Sequence, residues 1–428
     1  MRAPPLACRE WGEVPIGPGG VTAVEAQALM RVAEAAGRRL GVGESGVLRR
    51  VHRGLRAGQV CGVLTAGGRT IEILPKIDGG DGSARLALLH MLAVAHDLPV
   101  EVDAAADLER REEDLLEVVI RRFAAELLDA LRRGPARRYG SVRADLGVLR
   151  GSLDVGRQYT TLLASPGVVA CRHDELGPDT PLNRVLKAAA LRLRRLARTT
   201  ACRRLLDEAL DRLADVGESH RPLAERVRLD RTNAAFHGVH AMARLLLVGD
   251  GQATGRGASH GYALLFAMNA LFEAYAGRLL RRAHPPGAVR LQDRRHHALE
   301  GPLFALRPDA VIQTPRVTVV VDAKWKELDP DRGEALGVAQ ADIYQMLAYG
   351  HAYAAPGPPV RLVLLYPHRR GLGPPGVLRR WTVQGTQTPL DVATLDVTEA
   401  SSPAAAAARL ATTLRTGGPP QATRPAPA

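Results

Sequence analysis

The chain has 428 residues, enough for two or three domains with cores that need no disulfide support, and its 58 Lys and Arg against 45 Asp and Glu leave +13, a balance suited to a polyanionic partner such as nucleic acid. Its four cysteines, Cys8, Cys61, Cys171 and Cys202, stand at irregular spacings with no CxxC, which argues against a zinc ribbon or disulfide framework and points to a reducing cytoplasm. The opening residues lack an apolar stretch of signal-peptide length, and the most apolar segment, Leu86 to Val100, is broken by His90, His96 and Asp97, so no export signal and no membrane span are expected.

The first hundred residues mix short β-like runs with Gly and Pro. Gln59 to Leu64, Ala66-Gly67-Gly68 and Thr70 to Leu74 read as a hairpin. Apolar residues at spacings of three and four predict amphipathic helices over Leu86 to Leu98 and Leu115 to Arg132. Tyr139 to Asp154 is Gly-rich and weakly periodic, and fits either a β segment or a connector. A long basic helix is expected over Asp179 to Ala197, capped by Asp179 or Thr180 with Pro181 in its first turn, then helices near Arg203 to Ala214 and Ala235 to Leu247. Gly249 to Gly261 reads as a flexible loop or boundary. Beyond it the pattern predicts a helix (Tyr262 to Ala283), a strand pair (Phe304 to Arg307 and Val317 to Val321), a helix (Ala341 to Ala354) and a strand (Val360 to Tyr366), which is an α/β arrangement around a central sheet. Ser402-Pro403 caps a short Ala-rich helix closed by Gly417, and the remaining tail is expected to be disordered.

Only four of the 58 basic residues are lysines, Lys76, Lys187, Lys324 and Lys326. A compact ammonium therefore stands where this chain would otherwise use a guanidinium. The sharpest constellation contains one of them: Arg307-Pro308-Asp309 followed by Asp322-Ala323-Lys324. Val317 to Val321 should be a buried strand, and alternation puts Asp322 and Lys324 on the same face at its end. Asp309 can converge with Asp322 on a divalent cation, with the Ala323 carbonyl as a further oxygen ligand. Lys324 would then orient or deprotonate water, or stabilise charge on a phosphorane-like transition state. The bland alternative is a surface salt bridge at a strand end. Glu273 in NALFEAY, and Gln345 and Tyr349 four apart on the helix that follows the DAK strand, add to the pattern.

In this order Glu, PD, DxK and QxxxY resemble the PD-(D/E)xK nuclease superfamily, with the helix of its RecB-like branch. More closely, IEILPKI (Ile71 to Ile77), LRGSLDV (Leu149 to Val155), CRHDEL (Cys171 to Leu176), DTPLNRVLKAA (Asp179 to Ala189), NALFEAY, RPD, DAKWK and DIYQMLAY resemble segments of the McrC family, the nuclease subunits of McrBC-type modification-dependent restriction systems. The resemblance implies an α+β N-terminal domain, a helical segment and an α/β PD-(D/E)xK domain with a central mixed sheet. Their expected bounds are 1–165 for a partner-engaging domain, 166–250, 251–416 for the nuclease, and 417–428 for the tail. It also implies Asp309, Asp322 and Lys324 as the catalytic core, Glu273 as a fourth member, Gln345 and Tyr349 as supports, and Mg2+ on Asp309, Asp322 and the Ala323 carbonyl. The implied partners are double-stranded DNA and an McrB-like AAA+ GTPase; there is no GxxxxGK[ST] here, so GTP enters only through that partner. The expected function is 5-methylcytosine-dependent DNA cleavage with stimulation of the partner GTPase. Two alternatives are a stand-alone RecB-like repair nuclease and a non-catalytic adaptor of an AAA+ motor. His237, His240, His296 and His297 lack acidic or Cys neighbours at metal-site spacing and read as structural or surface residues. The Arg192, Arg194, Arg195 and Arg198 cluster fits either a DNA-backbone grip or a solvated helix face.

Overall fold

The computed structural model describes residues 4–43, 46–98, 114–165, 167–249, 261–301, 303–354, 357–398 and 402–415. Two compact units result: Met1–Leu115 together with Gly251–Ala428, and Leu116–Asp250. This differs from the expected bounds, because the boundary near 165 disappears while the one near 250 remains. Arg138–Leu146 pairs with Val169–Gly177 across residue 165, and Tyr262–Ala267 pairs with Val60–Thr65 to tie the C-terminal part to the N-terminal one.

In the first unit, β1 (Leu6–Arg9), β2 (Glu13–Pro15), α1 (Ala23–Leu40), β3 (Leu48–Val51), β4 (Gly54–Ala57), β5 (Val60–Ala66), β6 (Arg69–Leu74) and α2 (Asp81–His96) precede the excursion into the second unit. The expected hairpin is present as β5 and β6, with Thr65 opposite Thr70. Thr22 and Glu25 form a reciprocal capping box at the start of α1. The apolar face of α1, with Ala26, Leu29 and Ala33, closes over Leu64, Ile71 and Ile73 of the sheet.

That sheet runs β1-β6-β5-β10, and β10 (Tyr262–Ala267) pairs antiparallel with β5, from Tyr262 opposite Thr65 to Ala267 opposite Val60. These residues were expected to begin a helix. The run YALLFA carries no helical stripe of polar residues, and its pairing with β5 overrides the local reading. Gly62 permits this approach: at φ +130°, a Cβ there would fall 2.0 Å from the Leu264 carbonyl oxygen. The helix proper, α8, is Met268–Ala283.

A six-stranded mixed sheet follows, in the order β11-β12-β13-β14-β16-β15. It comprises β11 (Val289–Leu291), β12 (Ala310–Gln313), β13 (Thr318–Ala323), β14 (Val360–Pro367), β15 (Val377–Thr382) and β16 (Pro389–Leu395). β13, β14 and β16 are parallel neighbours, and β12 joins β13 antiparallel with Ala310 opposite Val321. The expected strand at Phe304 to Arg307 is absent; Ala305 makes only an isolated bridge to His297, and the strand starts at Ala310. One sheet face, with Val311, Val320, Leu362 and Leu364, packs under Met346, Tyr349 and Tyr353 of α9 (Gln340–Tyr353). α10 (Pro403–Arg415) is capped by Ser402 as expected and packs on α8. Gly417, the tail, and 250–260 of the expected Gly-rich loop lie outside the described residues.

The second unit holds α3 (Leu115–Ala130), β7 (Arg138–Leu146), β8 (Ser152–Leu153), α4 (Val155–Thr160), β9 (Val169–Gly177), α5 (Pro181–Leu196), α6 (Thr200–Arg212) and α7 (His237–Val248). The segment left open in sequence becomes β7 and β8, both paired to β9, so the sheet crosses residue 165. Thr180 caps α5, accepting from the Asn183 N–H at 3.2 Å, with Pro181 in its first turn. Leu182, Val185, Leu186 and Leu193 of α5 are buried, and α6 and α7 pack on that helix. Lys187 donates to the Val216 carbonyl at 2.5 Å, which gives one of the rare lysines a structural task. Several large apolar side chains around the three-stranded sheet are exposed: Tyr139 at 70%, Val148 at 77%, Tyr159 at 65% and Leu163 at 73%.

Candidate functional site

Alternation along β13 decides where the charged residues go. Val320 faces the α9 side of the sheet, so Asp322 and Lys324 do as well, and Asp309 is on the same side of the neighbouring strand end as Val311. Asp322 is only 2% exposed. Its Oδ2 lies 2.5 Å from the Lys324 ammonium as an ion pair, without the angles of a hydrogen bond, and its Oδ1 accepts a long bond from Gln345 Nε2 at 3.4 Å. Lys324 also donates to Gln345 Oε1 at 2.7 Å, and Gln345 Nε2 donates to the Tyr349 hydroxyl at 2.7 Å. Gln345 and Tyr349, four apart on α9, thus hold the lysine from above the sheet.

Asp309 accepts from the Ala323 N–H at 2.8 Å through Oδ2 and from Gln292 Nε2 at 2.9 Å through Oδ1. The same Gln292 nitrogen donates to Glu273 Oε1, which ties α8 to the strand end. All six residues singled out in sequence therefore gather at one point. Gln292 and Asp342 were not anticipated. Gln292 sits at φ +52° with no spacing signal. Asp342 was legible only as the residue one helical turn before Gln345; it accepts from Lys326 Nζ at 2.7 and 2.9 Å and stands 3.7 Å from Lys324 Nζ.

Burial pushes the Asp309 carboxyl up to about 7, and the Asp322 and Glu273 carboxylates add to the rise. Burial also raises Glu273, opposed chiefly by the Arg307 guanidinium, and raises Asp322 against the pull of Lys324. Burial and its carboxylate neighbours lift the Tyr349 hydroxyl to about 12, so it stays a neutral phenol. Carboxylates that disfavour one another's charge in a confined place relax when a cation or a proton joins them. Among the described residues no group of three or more His, Cys, Asp or Glu side chains is arranged to hold a metal ion alone. Two carboxylates with a main-chain carbonyl, the rest of the shell being water and phosphate oxygen, is a donor set that suits Mg2+.

The other candidates fall apart. The four cysteines are free thiols, and burial raises Cys8 to about 12 and Cys202 to about 11. His237 is bound to the Asp230 carbonyl at 3.0 Å and the His296 ring lies 4.3 Å from that of Tyr353, both structural uses. Arg194 is paired with Asp207 on the neighbouring helix. No helix is long and apolar enough to cross a membrane among the described residues.

A mixed sheet that brings two carboxylates and a lysine from adjacent strand ends under a glutamine–tyrosine helix defines a mixed α/β protein with a buried charged centre. The family model described as "McrBC 5-methylcytosine restriction system component" matches residues 55–367, and the chain belongs to that family. Among solved structures, the chain resembles one in a half-complex from the tetradecameric assembly of Thermococcus gammatolerans McrB AAA+ hexamers with bound McrC. The TM-score is 0.74 over 96% of this chain and 99% of that one; at 22% identity the likeness is one of fold. A chain of the T. gammatolerans McrBC complex determined by cryo-EM gives a TM-score of 0.54 at 25% identity, covering 65% of this chain and 88% of that one. No curated protein matches.

Proposed function

We propose that this chain is the DNA endonuclease subunit of a McrBC-like 5-methylcytosine-dependent restriction system, a cytoplasmic Mg2+-dependent PD-(D/E)xK nuclease that works with an McrB-like AAA+ GTPase. The observation that carries the reading is the convergence of Asp309, Asp322, Lys324 and Gln345 at adjacent strand ends. Asp309, Asp322 and the Ala323 carbonyl would hold Mg2+, which supplies Lewis-acid polarisation of the phosphate and a more acidic water. Lys324, its ammonium fixed between Asp322 and Gln345 Oε1, carries positive charge to where the phosphate acquires negative charge. Tyr349, neutral and bonded to Gln345, keeps that amide oriented. Glu273, through Gln292, fixes Asp309 from the far side.

Within the expected partner-engaging residues 1–165, engagement is assigned to the part that belongs to the second unit. Around β7, β8 and β9 the apolar side chains Tyr139, Val148, Tyr159 and Leu163 are exposed, and exposed apolar groups of this kind are what protein interfaces cover. The AAA+ ring is the occupant because the T. gammatolerans structures hold McrB with McrC.

Reconstitution tests this reading. Methylated duplex DNA, Mg2+, GTP and an McrB-like partner should together give cleavage, and Asp322→Ala should abolish it while partner GTPase stimulation persists. Cleavage at full rate without the partner would favour the stand-alone nuclease, and GTPase stimulation with no cleavage under any condition would favour the adaptor.

A further inference from the structure

Beside the carboxylate site, and outside it, lies a cavity of about 300 Å3 lined by Glu10, Trp11, Gln59, Lys76, Trp325, Lys326, Glu327 and Pro367. Its floor is rigid. The Trp325 indole N–H donates to Glu10 at 2.9 Å, the Trp325 carbonyl accepts from Gln59 Nε2 at 2.9 Å, and Phe272 packs on the ring with centroids 5.4 Å apart. The Lys76 N–H fastens Glu10 from the other side at 3.0 Å.

The mouth is built differently. A turn closed by the Gly12 N–H on the Arg9 carbonyl at 2.8 Å puts Trp11 at its third corner with φ +63°. That corner favours Gly or Asn, since other side chains are strained there. A bulky indole in that conformation, with 47% of its surface exposed, neither relaxes the turn nor fills a core. Strain that packing does not explain is a reason to look for a ligand.

Two of the four lysines flank this indole. Lys76 Nζ lies 3.2 Å from Glu327, whose carboxylate also takes Arg369 at 2.6 Å; Arg369 in turn reaches Asp78 at 3.4 Å, and the Lys76 side chain stays 54% exposed. Lys326 is held by Asp342 at 2.7 Å and remains exposed. Lys326, on the cavity wall, shares Asp342 with Lys324, whose Nζ is 3.7 Å from that carboxylate, and this links the cavity to the carboxylate site.

We infer that this cavity takes an unpaired nucleotide of the DNA next to the cleaved bond, its base stacked on the Trp11 indole and its phosphate held by Lys76 and Lys326. The inference rests on the nuclease reading for the identity of the ligand. Stacking explains the exposed aromatic face, ammoniums on flexible stems suit a phosphate, and the volume has room for one base with its sugar. A base in an intact duplex is already stacked, so occupancy requires a nucleotide that has left its helix.

Binding of a fluorescent single-stranded oligothymidylate to the full chain in EDTA tests the cavity without any cleavage. Trp11→Gly should weaken binding roughly tenfold, Trp11→Phe should keep it within about threefold of wild type, and Lys76→Gln should weaken it and flatten its salt dependence. The melting temperature of Trp11→Gly should be unchanged or raised, because glycine relaxes the turn. Wild-type affinity in Trp11→Gly, equal losses in the Gly and Phe variants, or a lower melting temperature accompanying the loss would overturn the inference. Failure of the nuclease reading shows separately: wild-type complex that never cuts DNA sinks that reading, while the Trp11 series still decides whether a nucleotide binds here.

Discussion

The two units invert the usual placement of residues in opposite ways. In the unit formed by residues 1–115 and 251–428, Asp322 and Asp342 are buried at a strand end and a helix start, and burial raises the carboxyls of Asp309 and Asp322. In the unit formed by 116–250, Tyr139, Val148, Tyr159 and Leu163 face solvent. Buried charge costs free energy unless something compensates it, and exposed apolar surface forgoes the gain of burial. In the first unit Lys324 and Lys326 compensate the two buried aspartates, which leaves the raised Asp309 and Glu273 carboxyls as the groups a cation would relax, while the exposed side chains of the second unit fit a protein surface.

The largest effect expected from breaking this contrast is on cleavage. Asp322→Ala or Lys324→Ala should lower the rate of the reconstituted complex by roughly 10^3-fold or more while circular dichroism and partner binding stay as in wild type. A variant of either kind that cuts at the wild-type rate would show that the buried charges serve the fold alone. Lys324→Arg sharpens the point. The guanidinium keeps the charge but not the compact geometry between Asp322 and Gln345, so a loss of roughly 10^2-fold is expected, and near-normal turnover would reduce Lys324 to a salt-bridge partner.

In the second unit, Tyr159→Ser combined with Leu163→Ser should cut stimulation of the partner GTPase roughly tenfold and leave the melting temperature within about 2 °C, since both side chains are exposed. Unchanged stimulation would move the docking surface elsewhere. The smallest effect on function concerns Glu10. Burial raises its carboxyl from the usual 4.5 to about 7, so between those values the folded chain holds a proton that the unfolded chain has released. Stability contributed there is present below about pH 4.5 and is lost as pH rises toward 7, by at most about 3 kcal/mol. Glu10→Gln should remove that slope from a pH series of urea denaturation curves; an unaltered slope would show that Glu10 is not the titrating group.

The carboxylate site was legible because its signals are local. A β-branched run marks β13, strand alternation fixes the face shared by Asp322 and Lys324, and helical spacing pairs Gln345 with Tyr349. What could not be read depends on distance. Tyr262–Ala267 is apolar enough for a helix or a strand, and only its pairing with β5 decides. Gln292, the bridge between Glu273 and Asp309, is a single amide with no motif around it, and the meaning of Trp11 lies in a dihedral angle that no sequence displays. The division into units lies away from residue 165 for a related reason. β7, β8 and β9 pair across it, so a fragment starting near Cys171 would lose two strands of that sheet, together with β1, β5 and β6 of the other unit.

The β5–β10 pairing also sets a schedule for synthesis. A ribosome adding about 5–20 residues per second needs roughly 10–40 s to travel from the end of β5 at Ala66 to the start of β10 at Tyr262. Throughout that interval the hydrogen-bonding edge of β5, an apolar strand shaped by Gly62 to receive another backbone, has no chain to receive. The nascent protein thus carries an adhesive edge for nearly half of its translation, and its yield should depend on chaperone supply during elongation more than on the stability of the finished fold.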